Sequence, residues 1–287
     1  AAMLPVTPSA TLTPSSIYRE VGRGGLKHRP RLLDPVCTLT LAWQVFEDAP
    51  VVVAANRDEQ RDRPSEPPAL LEEEPAVVAP RDAKAGGTWQ GYNESGLFVG
   101  VTNRWTDADL AGERSRGLLV RDALREPSAE AGVRMVENAV EEHEYAGFNL
   151  VLADENAAFL LEWDGRLLVR QLEPGVHVVV NVGASDAPAI PASAAERGQE
   201  QAEDAAAVRT ELIPEPDESS DAWLDRAKRV LGDHDFGVCV HENGYGTVSA
   251  STIALAADGT VAFEFADGPP CETAFESVEA AIDQHRE

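Results

Sequence analysis

The pattern of apolar and polar residues divides the chain into strand-like and helix-like stretches. Short apolar or alternating runs bounded by turn residues are typical of strands, whereas apolar residues recurring every three or four positions indicate amphipathic helices. We predict strands over residues 37–46, 50–55, the two halves of 86–104, 148–153, 157–163, 166–172, 176–181, 246–256 and 260–265. We predict helices over residues 115–126, 128–143, 193–209 and 219–231.

The order of these elements predicts the fold class. Strands come first, helices follow, and strands return, which differs from the strict strand–helix alternation of a parallel sheet. Asn93-Glu94-Ser95-Gly96, Asp164-Gly165 and Asp258-Gly259 are typical of hairpin turns. Residues 60–85 are polar and rich in proline, so we predict a long surface loop there. We therefore expect residues 37–287 to form a single α+β domain with layered sheets.

The first 36 residues differ in composition from the rest of the chain. They are rich in Pro, Ser and Thr, and they contain five of the 24 basic residues but only two of the 50 acidic ones. The other 251 residues therefore carry 19 basic and 48 acidic residues, a net charge of −29. We expect residues 1–36 to be a disordered or non-native extension, and Cys37 to be the first residue of the working protein.

The acidic excess also limits the classes of partner. Nucleic acids and anionic membranes are bound by clustered Lys and Arg, and this chain has only three lysines, so we expect neither partner. No apolar run approaches the roughly 20 residues of a membrane span, so we expect no membrane insertion.

The net charge of −29 on residues 37–287 causes self-repulsion that high salt screens, which favours a halophilic, acidic protein. Three widely spaced cysteines do not indicate a disulfide framework, so a reduced, cytoplasmic setting is expected; no pattern specifies an oligomeric state.

Cys37 is the leading candidate for chemistry. At an N-terminus, its α-amine would titrate near about 7.7–8.0 and could accept the proton of its own thiol. The apolar run VVVAA (51–55) leads into Asn56-Arg57-Asp58-Glu59, which we place where a strand ends. Arg57 is suited to hold a substrate carboxylate or the thiolate, and Asp58 to orient the amine. With an amine and Arg57 nearby, we expect the pKa of Cys37 to be depressed.

Other polar and aromatic residues could have either a catalytic or a structural role. Asn103 ends a predicted strand, where its amide could donate to a developing oxyanion. Asn93 is expected to serve its turn, and Trp89 to lie in the core. His234, Cys239 and His241 form an H-x4-C-x-H pattern, but no carboxylate or second cysteine completes it, so we expect no metal. No cofactor is expected either, because nucleophile and base would reside on one residue.

Several ordered motifs together resemble the NRDE family, which includes the transport and Golgi organisation protein 2 of eukaryotes. The resemblance covers roughly residues 37–265 and rests on CTLTL, ANRDE, GGTWQGYNESGLFVGVTNR, SRGLLVRDAL, YAGFNLVLAD and YGTVSAST. This family is similar in turn to N-terminal nucleophile (Ntn) hydrolases, above all the cysteine enzymes that cleave penicillin V and conjugated bile salts. The resemblance implies a four-layer αββα sandwich of two stacked, mainly antiparallel sheets, with Cys37 as nucleophile.

The same resemblance implies roles for individual residues. Asn103 would donate to the oxyanion, Asp58 would hold the amine, and Arg57 would flank the thiol. Asn181, at the end of VHVVVN (176–181), matches a second polar residue of that pocket. One motif departs from the family, because its usual YGTRS reads YGTVS here and Val248 replaces an arginine.

Two functions are consistent with these features. The first is an Ntn-type cysteine hydrolase that cleaves a linear amide or related acyl bond, a non-peptide C–N bond, in a small-molecule substrate. The alternative is a non-catalytic carrier or binding protein for an acyl-CoA, a lipid or haem. A haem carrier would need an axial ligand, and the candidates are His143, His177, His234 and His241.

Overall fold

The computed structural model describes residues 37–242, 244–279 and 282, so the expectation for residues 1–36 lies outside the described part of the chain. The strands, in chain order, are β1 (Thr38–Trp43), β2 (Val51–Gln60), β3 (Ser65–Glu73), β4 (Ala76–Asp82), β5 (Gln90–Asn93), β6 (Phe98–Asn103), β7 (Phe148–Ala153), β8 (Ala158–Trp163), β9 (Leu167–Gln171), β10 (Gly175–Val180), β11 (Gly183–Ala184), β12 (His241–Glu242), β13 (Tyr245–Leu255), β14 (Val261–Ala266) and β15 (Glu276–Ser277). The helices are α1 (Arg116–Ala123), α2 (Ala129–Glu142), α3 (Ala195–Glu211) and α4 (Ser220–Gly232).

The strands form two antiparallel sheets. The first has the order β11-β10-β1-β2-β13-β14-β15, with β12 paired to β13. The second has the order β3-β4-β5-β6-β7-β8-β9. The first sheet therefore gathers strands that are far apart in the sequence, and β1 lies between β2 and β10.

Alternation along the central strands explains how the layers stack. Val51, Val53 and Ala55 of β2 pack into the core between the two sheets, whereas Val52 and Ala54 pack toward α3 and α4. Both faces of this strand are thus buried, which is why its sequence is continuously apolar rather than alternating. Helices α1 and α2 cover the outer face of the second sheet in a third core. The predicted αββα sandwich of antiparallel sheets is confirmed.

Three helices begin directly after serines that cap their first turns. The side-chain oxygens of Ser115, Ser128 and Ser219 accept hydrogen bonds from backbone N–H groups in the first turns of α1, α2 and α4. The four predicted helices therefore agree with the structure to within a few residues at each end. None of the described helices is long and apolar enough to cross a membrane.

The prediction of a loop over residues 60–85 is wrong, because most of this segment forms the hairpin β3–β4 at the edge of the second sheet. Strand β3 is largely exposed, so it lacks the alternation that identifies a half-buried strand. Its two prolines, Pro67 and Pro68, lie where the register with β4 shifts between Glu66 and Ala69. An edge strand tolerates prolines because one side of its backbone needs no partner.

Candidate active site

Strand β2 carries the NRDE residues inside the first sheet. We predicted that the strand ends before Asn56, but it continues to Gln60, and Asn56, Arg57 and Asp58 are buried. The reason is the length of β13, which pairs with β2 along its whole length. Arg57 pairs with Ser249 and Asp58 with Thr247, so Val248 between these partners forms a β-bulge beside the site.

Cys37 lies next to this segment because it directly precedes β1, whose Thr38 pairs with Asn56. Its Sγ lies 3.7 Å from the backbone oxygen of Asp58. Its backbone N–H donates a hydrogen bond of 3.0 Å to Oδ1 of Asn181. The structure therefore brings together Cys37, Asp58 and Asn181, three of the predicted site residues, from three different strands or strand ends.

Asn181 is fully buried and follows β10, the neighbour of β1. Its Oδ1 also accepts a 3.0 Å hydrogen bond from Nε2 of Gln201 on α3. Its backbone oxygen accepts a 3.0 Å hydrogen bond from the backbone N–H of Trp105. These contacts fix the side chain so that its carbonyl oxygen faces the nitrogen of Cys37.

The carboxylate of Asp58 is buried and only partly satisfied. Oδ1 accepts a 2.5 Å hydrogen bond from Oγ1 of Thr247, whereas Oδ2 has no hydrogen-bond partner among the described residues. Burial raises the pKa of Asp58 well above its ordinary value, against the opposing effect of the Thr247 hydrogen bond. A cation placed at Oδ2 would relieve this unfavourable burial.

Arg57 is held by an aromatic ring. Its guanidinium carbon lies 4.2 Å from the ring centroid of Trp89, a cation–π contact, and Nη2 is 3.9 Å from Oε2 of Glu59. Trp89, expected in the core, instead lines a cavity together with Cys37 and Arg57. The segment before Trp89 is tightly seated, because a Cβ on Gly87 would lie 2.2 Å from the carbonyl carbon of Gly117.

The thiol of Cys37 is not activated in this state of the chain. Burial, followed by the negative charge of Asp58, raises the pKa of Cys37 to about 12, and Arg57 offsets only part of this. The physical reason is that desolvation of the thiolate outweighs a single nearby guanidinium. A depressed pKa is expected for a chain that begins at Cys37 and carries a free amine there, so for that form it stays a prediction.

Two cavities lie near the site, on opposite faces of the first sheet. The thiol cavity, of about 20 Å³, is lined by Cys37, Thr38, Leu39, Ala55, Asn56, Arg57, Trp89, Gln90, Val101 and Thr102. The polar cavity, of about 150 Å³, is lined by Thr38, Trp105, Val180, Arg197, Glu200, Gln201, Asp204, Ala205, Gly237, Val238, Val240 and Glu242. Thr38 belongs to both, but the thiol cavity opens from the core between the sheets, whereas the polar cavity lies on the side of α3 and α4.

Asn103 ends β6, one residue beyond Thr102 of the thiol cavity, and is not among the described residues that line either cavity. A buried polar network fixes this strand end. Nδ2 of Asn149 donates to Oγ1 of Thr102 at 3.0 Å and to the backbone oxygen of Val180 at 2.8 Å. Asn103 is thus held near Asn181, and its role as oxyanion donor stays a prediction.

Asn93 has the structural role that we expected for it. Its Oδ1 accepts from the backbone N–H groups of Ser95 and Leu97 within the hairpin turn. Its Nδ2 donates to the backbone oxygens of Leu124 and Glu126, which ties the turn to the end of α1.

A second cluster of polar side chains lies outside these cavities. Cys271 joins His234, Cys239 and His241, and the four ligand atoms lie within 4.8 Å of one another. The inference that no second cysteine completes this pattern is therefore wrong. Cys271 lies 30 residues beyond His241 in the sequence, a separation from which only the folded chain reveals the contact.

The comparisons with known proteins agree with this architecture. Residues 36–264 match the family model described as Transport and Golgi organisation 2. The chain is 28% identical over 237 residues to the Transport and Golgi organization protein 2 homolog of Bos taurus, covering 74% of this chain and 84% of that protein.

Two solved structures resemble the fold. The N-acylethanolamine-hydrolyzing acid amidase ortholog of Caenorhabditis elegans has a TM-score of 0.51 and 13% identity, covering 76% of this chain and 92% of that one. Penicillin V acylase from Agrobacterium tumefaciens has a TM-score of 0.46 and 13% identity, covering 85% and 98%. At such low identity the likeness shows the fold alone, which is that of the Ntn hydrolases.

Proposed function

We propose that this chain, which belongs to the Transport and Golgi organisation 2 family, is an N-terminal cysteine hydrolase of a linear amide or related acyl bond. The observation that carries the proposal is the placement of Cys37. Its nitrogen contacts Asn181 and its sulfur contacts the backbone of Asp58, so both reactive atoms of one residue face buried polar groups. A protein of the same fold is named for hydrolysing N-acylethanolamines, which are amides of this class.

The proposed chemistry requires a free α-amine at Cys37. In the 287-residue chain this nitrogen is an amide, which is not a base. We infer that the working form begins at Cys37. A protonated amine at the same position would still donate to Asn181, and its charge would give the unpartnered Oδ2 of Asp58 a cation. That charge would also lower the pKa of the Cys37 thiol, as an adjacent cation does.

The reaction then runs in two balanced steps. The neutral amine of Cys37 takes the thiol proton, and the sulfur attacks the substrate carbonyl carbon while the C=O electron pair moves to oxygen. Asn103 donates to this oxyanion through its side-chain amide. The C–N bond breaks as the leaving amine takes the proton from the ammonium group, which leaves a thioester on Cys37. Water gives a proton to the amine and attacks the thioester, and the C–S bond then breaks as the sulfur takes that proton from the ammonium group, which releases the acid and restores the thiol and the neutral amine.

The carrier alternative has less support from the site. The polar cavity is lined in part by charged and amide side chains of α3, among them Arg197, Gln201 and Asp204, which do not suit a porphyrin face. None of the four histidines considered for haem lines either cavity among the described residues.

Two forms of the protein test the proposal: one that begins at Cys37 and the 287-residue chain. Both are assayed against a panel of N-acylethanolamines, other linear amides and acyl-CoA thioesters, and the acyl-enzyme is sought by intact mass and peptide mapping. We expect turnover and acylation of Cys37 only in the shorter form. Tight binding of a ligand by both forms without turnover would favour a carrier. Native N-terminal sequencing that finds a residue before Cys37 would contradict the proposed maturation.

A further inference from the structure

We propose that His234, Cys239, His241 and Cys271 bind one Zn²⁺ ion in a site separate from the hydrolase centre. Cys239 and the two histidines lie on the segment that connects α4 with β13. Cys271 lies on the segment that follows β14. The site would therefore join two parts of the chain that no disulfide connects, since all three cysteines are free.

The distances between the ligand atoms match tetrahedral coordination. A zinc ion with Zn–S of about 2.3 Å and Zn–N of about 2.0–2.1 Å places its two sulfurs about 3.8 Å apart and sulfur and nitrogen about 3.5 Å apart. The Sγ atoms of Cys239 and Cys271 are 3.5 Å apart. Nε2 of His241 lies 3.6 Å from the first sulfur and 3.1 Å from the second. Cys239, His241 and Cys271 therefore need to shift by only a few tenths of an ångström, whereas the His234 side chain must move further, because the four ligand atoms span up to 4.8 Å.

The fourth ligand is oriented by a hydrogen bond of the type that metal-bound histidines make. Nδ1 of His234 lies 3.1 Å from the backbone oxygen of Cys239. A carbonyl oxygen only accepts, so Nδ1 carries the proton and Nε2 keeps its lone pair for a metal. The ring centroids of His234 and His241 are 5.1 Å apart, as expected for two imidazoles directed at one ion.

The donor set selects the ion. Two thiolates and two imidazoles in a tetrahedral arrangement favour zinc over magnesium or calcium, which prefer oxygen ligands. Four protein ligands leave no open position for water or substrate, so the ion would be structural rather than catalytic. Access is not obstructed, because both histidines and Cys271 are exposed, and only Cys239 is buried.

Zinc binding would affect the hydrolase centre through two consecutive hydrogen bonds. The backbone N–H of Val240, between two of the ligands, donates to Oγ1 of Thr247 at 2.9 Å, and Thr247 donates to Asp58. The same segment supplies Val238, Val240 and Glu242 to the polar cavity. A bound ion would hold this wall and the Thr247–Asp58 contact in one arrangement. It would act by positioning these groups, without contacting the substrate.

The test uses the full 287-residue chain, reduced and stripped of metal with a chelator, and Co²⁺ and Zn²⁺ as the ions. One equivalent of Co²⁺ should give the thiolate charge-transfer absorption and strong d–d bands of tetrahedral coordination, and Zn²⁺ should remove both. Cys271→Ser and His241→Gln should each weaken Zn²⁺ binding by more than about 100-fold, since even outer-shell changes cost about 10–100-fold. Cys37→Ser and His143→Gln are the matched controls and should bind like the wild type.

A second readout needs no variant. Zn²⁺ should slow alkylation of Cys239 and Cys271 in the wild type, whereas weak binding to surface carboxylates would not. Absence of the thiolate charge-transfer band, or a band that persists in Cys271→Ser, overturns the proposal. Recovery of Cys239 and Cys271 as a disulfide from protein kept under reducing conditions with Zn²⁺ also overturns it.

Discussion

The two cysteine sites of this fold place the same side chain in different surroundings. Cys37 is a single thiol whose sulfur contacts the backbone oxygen of Asp58 and which lines a cavity with the buried Arg57. Cys239 instead faces a second cysteine and two imidazoles at 3.5 Å and beyond. The first set places charged groups beside one thiol, whereas the second offers four soft or borderline donors that suit a metal. The residues around each cysteine, rather than the thiol itself, therefore determine the chemistry that the site can support.

The two sites are close enough to influence each other. Thr247 accepts from Val240 on the side of the four-ligand cluster and donates to Asp58 on the side of Cys37. It lies at the edge of the β-bulge at Val248, where β13 changes register against β2. The most direct experiments therefore change one thiol and measure the metal binding or the reactivity of the other.

The largest expected effect comes from removing the proposed nucleophile. In the chain that begins at Cys37, Cys37→Ser should lower kcat/KM for a linear amide by more than about 10³-fold, because a hydroxyl is far harder to deprotonate than a thiol. Cobalt binding should not change, which would separate the two sites completely. The measurement is steady-state hydrolysis together with the cobalt spectrum. Retained hydrolysis in Cys37→Ser would show that another group attacks.

Loss of the proposed oxyanion donor should have a smaller effect. Asn103→Ala should lower kcat by about 10²–10³-fold with little change in KM, because the lost hydrogen bond forms in the transition state. Asn156→Ala, at an exposed turn, controls for the removal of an asparagine side chain. If KM rises while kcat is unchanged, Asn103 binds the ground state instead.

The thiols should also differ in their rates of alkylation, which can be measured without a substrate. In the metal-free 287-residue chain, the exposed Cys271 should be alkylated before Cys37, since burial raises the pKa of Cys37 to about 12 and leaves little thiolate at neutral pH. Zn²⁺ should slow labelling of Cys271 by about 10-fold or more and leave Cys37 unchanged. Peptide mapping after timed alkylation measures both rates. Equal protection of all three cysteines would mean that zinc acts through the whole fold.

The smallest expected effect concerns stability and its dependence on pH. Burial raises the pKa of Asp58, so the folded 287-residue chain keeps a proton that the unfolded chain releases above its ordinary value of 3.8. The stability of the folded state should therefore fall as pH rises from about 4, by about 1.4 kcal/mol for each unit of raised pKa. Asp58→Asn cannot titrate, so its advantage in melting temperature over wild type should grow between pH 4 and 7.

Two comparisons sharpen this measurement. Asp109→Asn removes an exposed charge and should follow the wild-type pH profile. In the chain that begins at Cys37, the ammonium group should pair with Asp58. The difference in melting temperature between Asp58→Asn and wild type should therefore increase less as pH rises. Parallel profiles for wild type and Asp58→Asn in the 287-residue chain would contradict the raised pKa.

The sequence predicted most of the fold because its strongest signals are local. Amphipathic periodicity predicts the helices without reference to the rest of the chain, and local serines such as Ser128 and Ser219 cap them in the structure. The hairpin β3–β4 was missed because its first strand lies at an edge, is mostly exposed and contains Pro67 and Pro68. Its formation depends on a neighbouring strand rather than on its own pattern.

The candidate site was predictable in part. Cys37, Asp58 and Asn181 were identified from motifs, and the structure places them together. The stacking of Arg57 on Trp89 and the contact of Cys239 with Cys271 join distant segments, so no local spacing indicates them. The pKa of Cys37 could not be derived from the sequence, because its main cause is burial, which depends on the assembled sheets.

If the proposed maturation occurs, the hydrogen bond between the nitrogen of Cys37 and Asn181 makes the 287-residue chain a particular kind of zymogen. An amide N–H and an ammonium N–H can both donate along this 3.0 Å contact, so cleavage before Cys37 would leave the atom where it already is. Under the proposed function, activation would therefore turn the nitrogen of Cys37 from an amide into a basic amine. It would need no rearrangement of a loop. Such a precursor would be assembled in advance and inert until a single peptide bond is cut.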